Sequence, residues 1–215
     1  MHHEVILDLL KSVYRYYPVG LPNFQSSFEG RAKAMDILEK KIIAVQDGTP
    51  NDWTRLISVL TEKKIGEVRD AAYIQFPSYT ATIILKQAST EWIEFTQYLH
   101  VTVSLLTNYY TVYFEDRLGH KVFYESEKHN PHTYLYYSNI RDPTSPSAEA
   151  FHEVKSIVAS VFRNHQFVPH QLLFDHKVQG VYSLYEPQDQ GLMEAPLFTL
   201  LFDIPGDPLH TMVFK

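Results

Sequence analysis

The chain of 215 residues contains no cysteine. This absence excludes disulfide bonds, thiolate nucleophiles and the cysteine ligands of zinc and iron–sulfur sites, and it fits a reducing compartment. The chain has only eight glycines, and none forms the phosphate-binding patterns Gly-x-Gly-x-x-Gly or Gly-x-x-x-x-Gly-Lys. A Gly-x-Ser-x-Gly nucleophile elbow is also missing. The common signatures of nucleotide-binding enzymes and serine hydrolases are therefore absent.

Long apolar runs are missing as well. No stretch reaches the roughly 18 apolar residues that a membrane span needs. The start of the chain, Met1-His-His-Glu-Val, lacks the basic region and the unbroken apolar core of a secretory signal. We therefore expect a cytoplasmic protein that does not associate with membranes.

Basic residues are scarce in the last quarter of the chain. Residues 175–208 contain six acidic residues against Lys177 alone, and the whole chain has a formal net charge of −6. We expect no nucleic-acid partner, because phosphate contacts require a concentrated Lys/Arg surface. Acidic surface keeps proteins soluble without any partner, but it also suits docking onto a basic protein. Glu186, Asp189 and Glu194 are the candidate partner contacts in this segment.

Helical periodicity dominates the first third of the chain. Apolar residues at three- and four-residue spacing predict helices over residues 3–17 and about 27–45. Asn51 offers an N-cap for a third helix. A later stripe of the same kind predicts a helix over 148–164, capped at Ser147 or its neighbour.

The middle of the chain has few charges and many aromatic residues. Residues 71–137 hold ten of the fifteen tyrosines and only ten charged side chains. Aromatic and β-branched runs predict antiparallel strands at 72–76, 79–86, 98–106, 109–116, 121–126 and 132–138. The polar stretch around Gly119 predicts a hairpin turn. Further strands are predicted at 181–185, 198–202 and 212–214.

These elements predict one α+β domain over residues 1–215. Its parts are helices over 1–66, an antiparallel meander sheet over 70–138, a helix over 147–164 that packs on the sheet, and C-terminal strands and loops over 165–215. The sheet is predicted to have one apolar face, which the helices cover.

Eleven histidines raise the question of a metal site. His165, His170 and His176 follow the late helix near Asp175, and imidazoles with a carboxylate are suitable ligands for zinc or iron(II). However, no His-Glu-x-x-His pair places two imidazoles on adjacent helical turns. Scattered histidines are more commonly surface or structural residues, so we expect no cofactor and keep these four residues as metal candidates only.

The tyrosines of the strand at 109–114 allow two interpretations. Alternation places Tyr109 and Tyr113 on one side of the strand and Phe114 on the other side, which is predicted to be core. The first side, continued by Glu115, is either ordinary packing or an exposed aromatic–acidic recognition surface. Tyrosine suits recognition because it offers a large rigid area and a polar tip.

Two segments resemble patterns in small uncharacterised bacterial proteins of the Bacteroidetes type. They are Leu105-Leu-Thr-Asn-Tyr-Tyr-Thr-Val-Tyr-Phe-Glu-Asp116 and Tyr16-Tyr-Pro-Val-Gly-Leu-Pro22. Some such proteins are encoded beside polymorphic or contact-dependent toxins and resemble immunity proteins. The resemblance carries no catalytic residues, and it implies a binder that neutralises a toxin.

We therefore expect a non-catalytic cytoplasmic protein-binding module, in its specific form an immunity protein for a cognate basic toxin. Two alternatives stay open. The first is a metal-binding domain or hydrolase that uses the histidine cluster. The second is a structural or regulatory module that forms a homodimer through a sheet edge or the N-terminal helices.

Overall fold

The computed structural model describes residues 2–20, 28–72, 76–122, 133–141, 148–181 and 193–202. Three helices come first: α1 (His2–Tyr16), α2 (Glu29–Gln46) and α3 (Asp52–Lys63). Five strands follow: β1 (Glu67–Asp70), β2 (Ser78–Ser89), β3 (Ile93–Ser104), β4 (Tyr109–Val122) and β5 (Thr133–Arg141). The remaining elements are α4 (Ala148–Val161), β6 (Gln166–Phe167), α5 (His170–Asp175), β7 (Lys177–Val181), β8 (Met193–Pro196) and α6 (Leu197–Leu201). The class is α+β, as predicted.

The main sheet is a meander. Strands β1 to β5 pair in chain order, and every pair is antiparallel. The short strand β6 adds a parallel pairing with the start of β4. Strands β7 and β8 form a separate antiparallel ribbon. No helix among the described residues has the length and apolar character that a bilayer crossing needs.

The predicted cap of α3 is present. Asn51 Oδ1 accepts a hydrogen bond from the Thr54 backbone at 3.0 Å, and Thr54 Oγ1 accepts one from the Asn51 backbone at 2.9 Å. This reciprocal capping box satisfies backbone donors at the helix start. The cap fixes where α3 begins, and the helix then buries Trp53, Leu56 and Leu60.

The hairpin predicted around Gly119 is wrong. Strand β4 runs through this position without a turn, and Gly119 pairs with Glu94 of β3 and Tyr136 of β5. The neighbouring charges that suggested a turn are accommodated inside the strand, where Arg117 donates to Glu115. Pairing along both edges of β4 outweighs the low intrinsic strand preference of glycine. Residues 123–126 of the predicted partner strand lie outside the described residues.

Other strand predictions differ from the structure too. Residues 198–202 lie in and just after the buried helix α6, and α5 was not predicted. The first strand is β1, whereas Ala72 and Phe76 lie outside any strand. Residues 73–75, 182–185 and 212–214 and the predicted cap Ser147 lie outside the described part of the chain.

Helices cover both faces of the sheet. The face that carries Ile83, Leu99 and Phe114, called the apolar face here, packs against α3 and α4. The opposite face carries Thr82, His100 and Glu115 and is called the polar face. The end of the polar face at the start of β4 packs against α1, α5 and α6 in a second core. This core includes Leu9, Val13, Tyr17, Tyr109, Tyr113, Leu173, Phe198 and Phe202.

Candidate functional site

A row of polar side chains crosses the polar face from β1 to β5. Strand register places Arg69 beside Thr82 and Thr82 beside His100. Hydrogen bonds continue the row from His100 to Glu115 and from Ser138 to Glu115. These five residues, called the polar row, share a face because successive side chains in a strand point to opposite sides.

Glu115 is the centre of the polar row and is only 2% exposed. Its Oε2 lies 2.7 Å from His100 Nε2, and its Oε1 accepts a hydrogen bond from Ser138 Oγ at 2.6 Å. Arg117 donates from Nε to Oε1 at 3.0 Å and from Nη2 to Oε2 at 3.2 Å. The guanidinium of Arg117 also lies over the ring of Tyr98, 5.0 Å from its centroid. These donors replace the water that a buried carboxylate loses.

The partners of Glu115 keep it ionised. Burial is the largest single influence and acts to raise the pKa of Glu115. The hydrogen bond and charge of His100, the Ser138 hydroxyl and the charge of Arg117 together outweigh burial and lower this pKa to about 2. Glu115 is therefore unsuited to act as a general acid or base near neutral pH. It is suited to orient an imidazole and to stabilise positive charge on it.

His100 bridges the carboxylate and a hydroxyl. It is 6% exposed, and its Nδ1 lies 3.1 Å from Thr82 Oγ1. An ionised carboxylate can only accept a hydrogen bond, so Glu115 requires a proton on His100 Nε2. In the neutral ring, Nδ1 is then the acceptor that faces the Thr82 hydroxyl. Hydroxyl, imidazole and carboxylate thus stand in the order that nucleophile activation requires.

The predicted aromatic–acidic recognition surface is not exposed. Tyr109 is 7% exposed and Tyr113 is 3% exposed, and Glu115 is buried in the polar row. Tyr113 stacks on His100 with ring centroids 4.9 Å apart and also contacts His170 at 3.9 Å. Both tyrosines belong to the core formed with α1, α5 and α6, so packing is the correct one of the two interpretations for them. The prediction that the opposite side of β4 is core is confirmed.

The four metal candidates, His165, His170, Asp175 and His176, lie in different surroundings. His170 packs among aromatic rings, and the exposed His176 has Nδ1 2.9 Å from the Leu172 carbonyl oxygen. Asp175 is exposed, and burial lowers the pKa of the half-buried His165. Across the described ranges, no group of three histidine, aspartate or glutamate side chains has the geometry to hold a metal ion.

The acidic candidates of the C-terminal quarter are only partly described. Glu194 lies exposed on β8, where its carboxylate is 3.1 Å from Lys177 Nζ and 3.2 Å from Gln179 Nε2. The hydrogen bond from Lys177 lowers the pKa of Glu194. Glu186 and Asp189 lie outside the described residues.

A second buried charge lies away from the polar row. Lys41 of α2 is 3% exposed, and its Nζ donates to the Ser78 carbonyl at 2.6 Å and to the Phe76 carbonyl at 3.3 Å. Burial lowers the pKa of Lys41 to about 8, although the nearby charge of Asp70 acts in the opposite direction. These hydrogen bonds fasten α2 to the start of β2.

An exposed apolar patch lies at the far end of the apolar face, beyond the residues that pack on α3 and α4. Register places Leu118 beside Phe95 on one side and Tyr137 on the other, with Ile93 two residues before Phe95. The exposed fractions are 42% for Leu118, 46% for Tyr137, 42% for Ile93 and 52% for Trp92 in the adjoining turn. Trp92, Ile93, Leu118 and Tyr137 are called the distal patch.

Most residues of the polar row had not been predicted as site residues. Thr82, His100 and Ser138 were not singled out, and Glu115 was a candidate only for an exposed surface, with ordinary packing as the alternative. The available signal was a single polar residue between apolar neighbours, as in Leu99-His100-Val101. Such a residue is buried when both faces of its strand are covered, and a buried polar group needs a partner.

Comparison of the chain with protein-family models, with curated proteins and with solved structures finds no match. The resemblance to bacterial immunity proteins therefore stays a prediction, and function is inferred from the geometry of the chain.

Proposed function

We propose that this chain is a protein-binding module that contacts its partner through the distal patch. The observation that carries the proposal is the exposure of Trp92, Ile93, Leu118 and Tyr137 at one end of one sheet. Single exposed apolar residues are ordinary, but a contiguous group marks an interaction site. Tryptophan and tyrosine are also enriched among the residues that dominate binding energy.

The charges near the distal patch favour a basic partner. Glu91 adjoins it in the β2–β3 turn, and Asp116 lies on the same face two residues before Leu118. Lys86 on β2 is a basic residue near the patch. Arg117 is not counted as a further positive charge there, because its guanidinium is paired with Glu115. Opposite potentials accelerate encounter and select the partner.

A cytoplasmic immunity protein that neutralises a basic toxin is the specific form of this proposal. Its support is the resemblance of two sequence segments together with the acidic surroundings of the patch. In this form the chain acts by binding: an apolar centre with an acidic rim covers a basic surface of the toxin. The polar row is not needed for this function.

The test compares two matched double variants in a pull-down from lysate of the native host. Leu118→Ser/Tyr137→Ser removes half of the distal patch. Leu7→Ser/Tyr14→Ser removes a chemically matched and more exposed pair on α1, where the residues are 57% and 60% exposed. We expect affinity for the captured partner to fall by about 30-fold or more in the first variant, as for loss of a hot spot, and to stay unchanged in the second.

Three results would contradict the proposal. The first is equal binding by the two variants, and the second is the absence of a stoichiometric partner. The third is binding that does not weaken as salt rises, because charge complementarity is screened by ions. If light scattering shows a dimer that only Leu118→Ser/Tyr137→Ser abolishes, the patch binds a second copy and the toxin proposal fails.

A further inference from the structure

We propose that Thr82, His100 and Glu115 form a relay that takes an acyl group from a carboxylic ester onto the Thr82 hydroxyl and passes it to water. This activity goes beyond the proposed binding function and belongs to the opposite face of the sheet. The two contacts that support it are Thr82 Oγ1 to His100 Nδ1 at 3.1 Å and His100 Nε2 to Glu115 Oε2 at 2.7 Å. A nucleophile within reach of a base, which a third group orients, is the general arrangement for covalent catalysis.

Burial increases from Thr82 to His100 to Glu115, which is the order that acyl transfer to Thr82 requires. Thr82 is half-buried, His100 is 6% exposed and Glu115 is 2% exposed. Thr82 is therefore the member of the relay nearest to solvent, where an ester arrives, while the base and the carboxylate are shielded. Ser138 and Arg117 hold the carboxylate from its other side, so that Glu115 stays ionised while His100 takes up a proton.

Arg69 supplies positive charge beside the nucleophile. Strand register pairs Arg69 of β1 with Thr82 of β2, which places both on the polar face. The guanidinium binds Glu67 through Nε at 2.8 Å, and this contact holds the side chain along the sheet edge. Glu67 offsets part of the guanidinium charge, so Arg69 contributes through its Nη donors, which can bond to the ester oxygen that becomes negative during attack.

The steps balance with water as the only co-reactant. The Thr82 oxygen attacks the ester carbonyl carbon, and its proton passes to His100 Nδ1. Collapse of the tetrahedral adduct breaks the ester C–O bond, and the leaving alcohol takes the proton from Nδ1. Water then attacks the acyl group on Thr82 and gives a proton to Nδ1. This proton returns to the Thr82 oxygen as the carboxylic acid departs.

The same contacts would also occur if the polar row only stabilised the sheet through hydrogen bonds between strands β2 to β5. The test therefore changes only the Thr82 hydroxyl. Thr82→Val keeps the shape of the side chain and removes the nucleophile, whereas Thr82→Ser keeps the nucleophile. Thr80→Val is the matched control, because Thr80 lies two residues away on the same strand and face and contacts Ser78 through its hydroxyl. Glu115 is left intact because its removal disrupts a buried network.

The probe is p-nitrophenyl acetate, followed by release of p-nitrophenol and by the mass of acid-quenched protein. We expect turnover by the wild type, Thr82→Ser and Thr80→Val, and a loss of about 100-fold or more in Thr82→Val, as for loss of acid–base-assisted catalysis. One acetyl group should be found on the peptide that contains Thr82. Equal rates in Thr82→Val and the wild type, acetylation elsewhere, or turnover no faster than free imidazole would each overturn the proposal. The binding test on the distal patch would be unaffected by that failure.

Discussion

Phe114 and Glu115 are neighbours on β4, but they face opposite environments. Phe114 is fully buried on the apolar face, 6.1 Å from the ring of Phe151 on α4. Glu115 is almost as deeply buried on the polar face, where its oxygens meet His100, Arg117 and Ser138. On the first face stability follows the apolar area removed from water, whereas on the second it depends on whether each polar group has a partner.

The polar face also explains how the short helix α6 can be buried. The last carbonyls of a helix have no partner within the helix itself. Here the hydroxyls of Ser78 and Ser104 donate to the carbonyls of Phe202 and Leu201 at 2.5 and 2.7 Å. The Tyr17 hydroxyl, just after α1, donates to the Leu200 carbonyl. A wholly apolar sheet face would leave the Leu201 and Phe202 carbonyls buried without partners.

The largest effect is expected on the apolar face. Phe114→Ala should lower the free energy of unfolding by about 4 kcal/mol, because it removes a fully buried ring and leaves a cavity. The loss should be the same at every pH between 3 and 8, since no charge is involved. Urea unfolding followed by circular dichroism measures it, with Phe114→Leu as a milder control. A decrease in the free energy of unfolding under 1 kcal/mol, or one that varies with pH, would contradict the proposed difference between the apolar and the polar face.

On the polar face, Glu115→Gln should lower the free energy of unfolding by about 3 kcal/mol at pH 7, because it leaves His100 and Arg117 without their anion. The folded pKa of about 2 lies below the ordinary value of 4.5, so the unfolded chain takes up a proton first as pH falls. The stabilisation is therefore complete above about pH 4.5 and is lost as pH falls towards 2.

Urea unfolding of the wild type and Glu115→Gln at pH 7, 4.5, 3 and 2 checks this prediction. The difference in the free energy of unfolding between the wild type and Glu115→Gln should decrease steadily below pH 4.5. Glu91→Gln, at an exposed position in the β2–β3 turn, is the control and should change stability by less than about 0.5 kcal/mol. A gap that stays constant down to pH 2 would show that Glu115 does not stabilise the fold through its charge.

Local patterns were sufficient to predict the four longer helices, α1 to α4, but not the short helices α5 and α6 or the length of β4. The helix predicted over residues 3–17 corresponds to α1, and the cap at Asn51 was correct, because periodicity and capping are properties of neighbouring residues. The continuity of β4 through Gly119 depends on hydrogen bonds from β3 and β5, which are distant in sequence. The five apolar residues of α6 are equally compatible with a buried strand, so periodicity could not distinguish the two.

Less of the candidate site than of the fold could be predicted from the sequence. Strand alternation drew attention to Glu115, but the partners of this residue are set by strand register and by a hydrogen bond to Ser138 on a strand further along the chain. The distal patch had no local signal either, since the strands containing Phe95, Leu118 and Tyr137 look like ordinary core strands.

The smallest expected effect is an increase in the free energy of unfolding, not a decrease. Thr102 and its cross-strand neighbour Thr111 are 1% and 0% exposed, and neither hydroxyl has a hydrogen-bond partner among the described residues. Thr102→Val keeps the side-chain shape and removes a buried unsatisfied group, so it should raise the free energy of unfolding by about 1 kcal/mol. Ser104→Ala, two residues along the same face, should instead destabilise by at least a similar amount, because it removes the bond to Leu201 and the acceptor of the Leu106 and Thr107 backbone N–H groups. Urea unfolding of the two variants side by side gives both signs, and destabilisation by Thr102→Val would contradict the prediction.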